Sequence, residues 1–61
     1  MPELTEKELD VINQVLTEEA LHVKKFELLA ELAQESDVKS QMEHIARKHQ
    51  GHFNSIYALL G

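Results

Sequence analysis

Apolar residues recur along this chain in alternating steps of three and four. In the first half they stand at Leu9, Ile12 and Leu16, then at Val23, Phe26, Ala30 and Ala33. That spacing keeps one face of an α-helix apolar and is the seam pattern of packed helices. Val11, Val15, Leu28, Leu29 and Leu32 widen the stripe, and a wide stripe lets one helix touch two neighbours. Thr5 is placed to cap the N-terminus, and Glu8 three residues on completes a capping box. Leu4 and Leu9 sit where a hydrophobic staple would pack, and Glu6 and Glu8 suit the positive end of the helix dipole. A first helix is predicted over about residues 5–34.

Gln34-Glu35-Ser36-Asp37 reads as a turn, in which Ser36 or Asp37 can cap a second helix. That helix, over about residues 37–60, has its seam at Val38, Met42, Ile45, Ile56 and Leu59, flanked by Ala46, Phe53 and Leu60. A connection of a few residues makes the two helices antiparallel neighbours. No period-2 run or hairpin dipeptide argues for a strand. The expected fold is all-α, with residues 1–61 forming one helical hairpin. Such a hairpin exposes half of its apolar stripe, so it is expected to pair with a second copy as a four-helix bundle.

Length strengthens that expectation. A chain of 61 residues buries only about 60% of its unfolded surface, and scaffolds of this size rely on disulfides, a metal or self-association. The absence of cysteine removes disulfides and thiolate metal sites. Histidine or carboxylate metal sites and oligomerisation remain. The net charge of −5, from 11 acidic and 6 basic residues, repels phosphate backbones and argues against nucleic acid as a partner. No apolar run approaches a membrane span. Met-Pro-Glu-Leu-Thr has neither a basic nor an apolar region, so no signal peptide is expected. The chain reads as a soluble, intracellular protein.

Polar residues break each seam. In the first helix, Glu19 stands between Leu16 and Val23; in the second, His49 and His52 stand between Ile45 and Ile56. In an antiparallel hairpin turning near residue 35, facing residues have numbers adding to roughly 71, because both helices rise equally per residue. Glu19 then faces His52, and His49 lies level with His22 and Val23. All three breaks fall in the same central layers.

A carboxylate alone in an apolar layer is costly. Imidazoles satisfy it either by hydrogen bonding or by sharing a metal ion with it. The spacing His49-x-x-His52 puts both rings on one helix face, and two copies would bring six such side chains near one axis, enough for one or two ions. A lone seam histidine is more often a hydrogen-bonded core residue than a ligand, so the convergence carries the metal reading. Three roles fit His22, at i+3 from Glu19: ligand, partner to a ligand, or surface residue, the last two together fitting better than the first. His44 reads as solvated, Glu18 and Glu27 as surface ion-pair formers rather than ligands, Met42 as core filler, and Phe53 and Tyr57 as core-edge packing. Gly51, inside a helix, costs about 1 kcal/mol against Ala; it either permits close helix approach beside the polar layer or is incidental.

The segments Leu16-Thr17-Glu18-Glu19, Lys24-Lys25-Phe26-Glu27-Leu28 and Ile45-Ala46-Arg47-Lys48-His49-Gln50-Gly51-His52-Phe53-Asn54 resemble short spore-coat proteins of the CotF-like group, which look like relatives of the ferritin-like superfamily. The resemblance runs from about Leu9 to Leu60. It implies a ferritin-like bundle and a coat location, alongside other coat proteins, as an alternative to the cytoplasm. Ferritin-like bundles hold two metal ions with a Glu from one helix of each pair and a Glu-x-x-His from the other. Carried over, Glu19 matches the lone Glu and His52 the His, while His49 stands where the second Glu would be. Fewer carboxylates bridge two irons less well, which puts di-iron oxygen chemistry in doubt and leaves zinc or a mononuclear site open.

Two functions compete on these residues. One is a metal-binding homodimer, holding iron or zinc. The other is a structural or interaction module whose Glu/His layer only fixes dimer register. A third, an RNA-binding hairpin dimer like small plasmid regulators, is opposed by the acidic charge and the lack of a basic stripe. No nucleophile, phosphate loop or substrate pocket marks an enzyme.

Overall fold

The computed structural model describes residues 3–61; Met1 and Pro2, the start of the stretch read above for a signal peptide, lie outside the described residues. Helix α1 spans Glu6–Leu32, helix α2 spans Ser36–Tyr57, and a 3₁₀ turn, Ala58–Leu60, follows. The helices pack against each other as a hairpin, and no strand occurs among the described residues.

The start of α1 follows from its capping residues. Thr5 is extended (φ −73°, ψ 161°). The Glu8 backbone N–H donates to Thr5 Oγ1 at 3.0 Å, and the Thr5 backbone N–H donates to Glu8 Oε1 at 2.9 Å. The Thr5 backbone N–H, and then its hydroxyl, hold the Glu8 carboxyl below the usual carboxylate range. A lowered folded value means that this contribution is fully present above the ordinary Glu value of about 4.3 and is lost as pH falls through the folded one. The stability gap between wild type and Glu8→Ala should therefore narrow as pH falls from about 7 to about 3. Thr5→Ala should cost about 1 kcal/mol at neutral pH, read by thermal unfolding.

The turn differs from the sequence expectation. Helix α1 ends at Leu32, not near residue 34, because Ala33 takes an extended backbone (φ −68°, ψ 129°) while its N–H still donates to the Leu29 carbonyl at 3.0 Å. Helix α2 opens at Ser36 with Glu35 in the cap position, and no side chain caps it. Ser36 and Asp37 lie inside the first turn instead, where the Asp37 carboxylate favours the dipole without closing a cap.

The hairpin measures 46 × 16 × 10 Å and has a radius of gyration of 14.3 Å. A compact domain of this length would have about 10.5 Å. It is one layer of two helices, where stable domains pack at least two layers. Among the described residues only Leu16, Val23, Ala30 and Ala46 are buried, and no large side chain is enclosed on all sides. Leu16 and Val23 stand where the seam places them. On α2 the packing centres on Ala46, expected only as a flank, while the predicted seam residues Val38 on α2 and Leu59 in the 3₁₀ turn remain 46% and 45% exposed. A methyl side chain lets the backbones close up, so the larger residues of that seam sit beside the contact line rather than on it. Tyr57, expected at the core edge, is exposed and stacks on Phe53 with ring centroids 5.9 Å apart.

Gly51 is exposed, and a Cβ built there meets nothing within 4 Å. It does not serve the approach of the two helices. Gly51→Ala is expected to stabilise the helix by about 1 kcal/mol, measurable as a raised unfolding midpoint in urea. No helix among the described residues is long and apolar enough to cross a membrane.

Candidate metal centre

Glu19 lies near the middle of α1, and His49 and His52 lie in the second half of α2. The short turn fixes the register that brings them level. His49 Nδ1 donates to Glu19 Oε1 at 2.5 Å. His52 Nδ1 lies 3.2 Å from Glu19 Oε2, the longer and weaker of the two contacts. One carboxylate thus spans two imidazoles that sit a helical turn apart. One ligand-type atom from each of the three side chains lies within 4.8 Å of the others, and no other such group of three occurs among the described residues.

The site lies on the rim of the helix–helix contact. The Glu19 side chain is 15% exposed, that of His49 24% and that of His52 58%. Hydrogen bonding by His49, opposed by burial and aided by the charge of His49 and His52, holds the Glu19 carboxyl below the usual carboxylate range. Its contribution to stability is present above the ordinary Glu value of about 4.3 and disappears as pH falls through the lower folded value. The carboxylate is ionised near neutrality, as both an ion-pair partner and a metal ligand must be.

Aromatic rings hold His49 in place. The His22 ring stacks on it with centroids 4.8 Å apart at 20°, and the Phe26 ring with centroids 5.6 Å apart at 14°. His52 meets its edge at 5.7 Å and 89°. His22 Nδ1 donates to the Glu18 carbonyl at 2.7 Å, and His22 is not among the three converging side chains. It therefore stands as a platform beside the site, in line with the role of partner or surface residue. Phe26 was read from the sequence only as seam filler, and its i+4 spacing from His22 is the signal that both rings share one face of α1. His44, Glu18 and Glu27 are exposed, but Glu18 and Glu27 do not form the ion pairs expected of them; the ion pairs among the described residues are those of Glu19.

The arrangement can do two things chemically. Without an ion, the carboxylate accepts from the His49 ring N–H across the helix pair, with His52 Nδ1 3.2 Å away, and no buried side-chain nitrogen or oxygen among the described residues lacks a partner. With an ion, the same side chains offer oxygen and nitrogen donors suited to zinc or other divalent transition metals. Comparison with protein families, with curated proteins and with solved structures finds no match for this chain.

Proposed function

We propose that this chain is a ferritin-like helical hairpin that pairs with a second copy and binds a metal ion, iron or zinc, at Glu19, His49 and His52. The observation that carries the proposal is the convergence of these three side chains within 4.8 Å on the rim of an otherwise apolar contact.

A second copy is the natural cover for that rim. Val38, Ile45 and His52 on α2 recur every seventh residue, with Leu59 in the following 3₁₀ turn continuing the spacing, and on α1 Val15, His22 and Leu29 do the same. Each set shares one helix face. His22, Leu29, Val38, His52 and Leu59 of these sets are exposed and Val15 and Ile45 half-buried, so the face that a second copy would cover runs through the candidate site. The chain exposes 4921 Å², whereas a compact monomer of its mass exposes about 4,000 Å². The excess, about 900 Å², is close to the roughly 800 Å² that each partner gives to an interface of standard size. A two-fold pairing over this face would double the ligand set and remove it from solvent. The CotF-like resemblance and a coat location belong to this same proposal and rest on the segments quoted above.

The competing reading is a module without metal, in which the Glu/His layer fixes register. The 2.5 Å bond between His49 and Glu19 favours it, since a pair already satisfied needs no ion. Metal analysis of untagged protein, purified without added metal and run on a sedimentation gradient, separates the two. The metal-binding dimer gives about twice the monomer mass with iron or zinc retained in that peak. A metal-free dimer leaves only the register role, and a monomer at every concentration removes the bundle itself.

A further inference from the structure

Resting on the metal-binding dimer proposed above, we infer that the two copies pair about a two-fold axis lying across the helices, which sets α1 against the partner's α1, and that the partner's His22 supplies the fourth donor to the site of Glu19, His49 and His52. The face that a second copy would cover carries Ile12, Val15, Glu19, His22, Phe26 and Leu29 on α1, all exposed or half-buried. Their order of two apolar, two polar and two apolar residues reads the same from either end, about a point between Ala20 and Leu21. On the other side Met42, Ile45, His49, His52, Ile56 and, in the 3₁₀ turn, Leu59 repeat that order about a point between Gln50 and Gly51. The contacts of Glu19 with His49 and His52 put the two points at about the same level. A two-fold axis through both maps apolar onto apolar and polar onto polar, the self-complementarity that an isologous interface requires. Ile12 then faces the partner's Leu29, Val15 the partner's Phe26, and Glu19 the partner's His22.

A two-fold along the helices, which sets α1 against the partner's α2, matches the apolar layers equally well. Charge selects between the two. At the edge of this face α1 carries Val11, Glu18, Lys25 and Leu32, every seventh residue and all exposed. About the crossing axis Glu18 meets the partner's Lys25, and Val11 meets the partner's Leu32. About the other axis Lys25 meets the partner's Lys48, and Leu32 meets the partner's Gln41. Flanking charges set the orientation of packed helices, and like charges set against each other oppose the pairing.

The site itself calls for one more donor. A closed zinc site takes four ligands, and one chain brings three side chains together. The 3.2 Å between His52 Nδ1 and Glu19 Oε2 is close to the separation of about 3.3 Å between two donors on a tetrahedral zinc. His22 is exposed and lies outside its own chain's cluster. Its Nδ1 donates to the Glu18 carbonyl at 2.7 Å, which leaves the lone pair on Nε2. His22 thus has a donor nitrogen that its own chain does not use, and the crossing axis sets it opposite the partner's Glu19.

Two measurements on the untagged full chain test the pairing and the donor separately. The chain has no cysteine, so Lys7→Cys, exposed near the start of α1, carries a single spin label. Electron–electron distance measurement should give about 40 Å between the two labels, since the crossing axis sends the two ends of α1 apart. About 20 Å, the width of a bundle with both ends on one side, overturns the pairing, and uncoupled labels in a sedimenting monomer remove the dimer altogether. Zinc titration then reads the donor. His22→Ala and His52→Ala, both at exposed positions, should each weaken zinc binding by at least about tenfold. Unfolded together in equal amounts and refolded, they should regain about a quarter of the wild-type tight sites, because half of the dimers are mixed and each of those holds one complete site of two. A mixture that regains none while the wild type binds zinc overturns the donor role of His22 across the dimer and leaves the metal-binding reading standing. A wild type that binds no zinc removes that reading, and the donor with it.

Discussion

Leu16→Ala is expected to destabilise the protein by about 2–5 kcal/mol, the cost of emptying a packed position that cannot fully collapse. Leu16 is the largest of the four buried side chains among the described residues, at 8% exposure. A hairpin with so few buried residues has little to redistribute into the gap. Chains of this size have only a few kcal/mol of net stability, so the variant should be largely unfolded at micromolar concentration. Lys24→Ala and His44→Ala, on exposed positions, should change stability by less than about 0.5 kcal/mol. Urea unfolding followed by circular dichroism at several protein concentrations checks both. Equal effects at all three positions would mean that Leu16 does not face the helix contact.

The helices were legible because their signals are local. The three-and-four spacing gave both elements, and Thr5 with Glu8 gave the start of α1, since a capping box is written within four residues. Antiparallel register placed Glu19 opposite His52 because both helices rise equally per residue, and the contacts of Glu19 with His49 and His52 follow from it. The turn was less legible. Neither glycine nor proline marks the end of α1, and Glu35, a residue with no special capping chemistry, takes the cap position of α2. Periodicity could not show that Ala46 centres the contact, because a small residue reads as weakly apolar although it is what lets two helices approach. The rings stacked on His49 depend on side-chain torsions, which spacing alone does not specify.

The second large effect concerns the polar layer. Replacing Glu19, His49 and His52 together by leucine is expected to stabilise the assembled bundle by about 1–4 kcal/mol, or to shift its oligomeric state. Within a dimer these groups lose their solvent, and a set of buried polar groups exchanged together for apolar ones leaves no partner unsatisfied. Breaking the set singly should have the opposite sign. His49→Leu leaves the Glu19 carboxylate without its 2.5 Å donor and should destabilise. Thermal unfolding of the single and triple variants, with sedimentation to report their mass, gives both signs. A triple variant less stable than His49→Leu would show that the layer supports the fold beyond its own hydrogen bonds.

The proposed site is most directly tested by calorimetric titration of metal-free, untagged protein with zinc, ferrous and manganese ions, run beside the triple leucine variant. The expected result is saturable binding of at least one ion to the wild type, absent from the variant. If no ion binds the wild type more tightly than the variant, Glu19, His49 and His52 hold no metal, and their convergence serves the register of the helices alone.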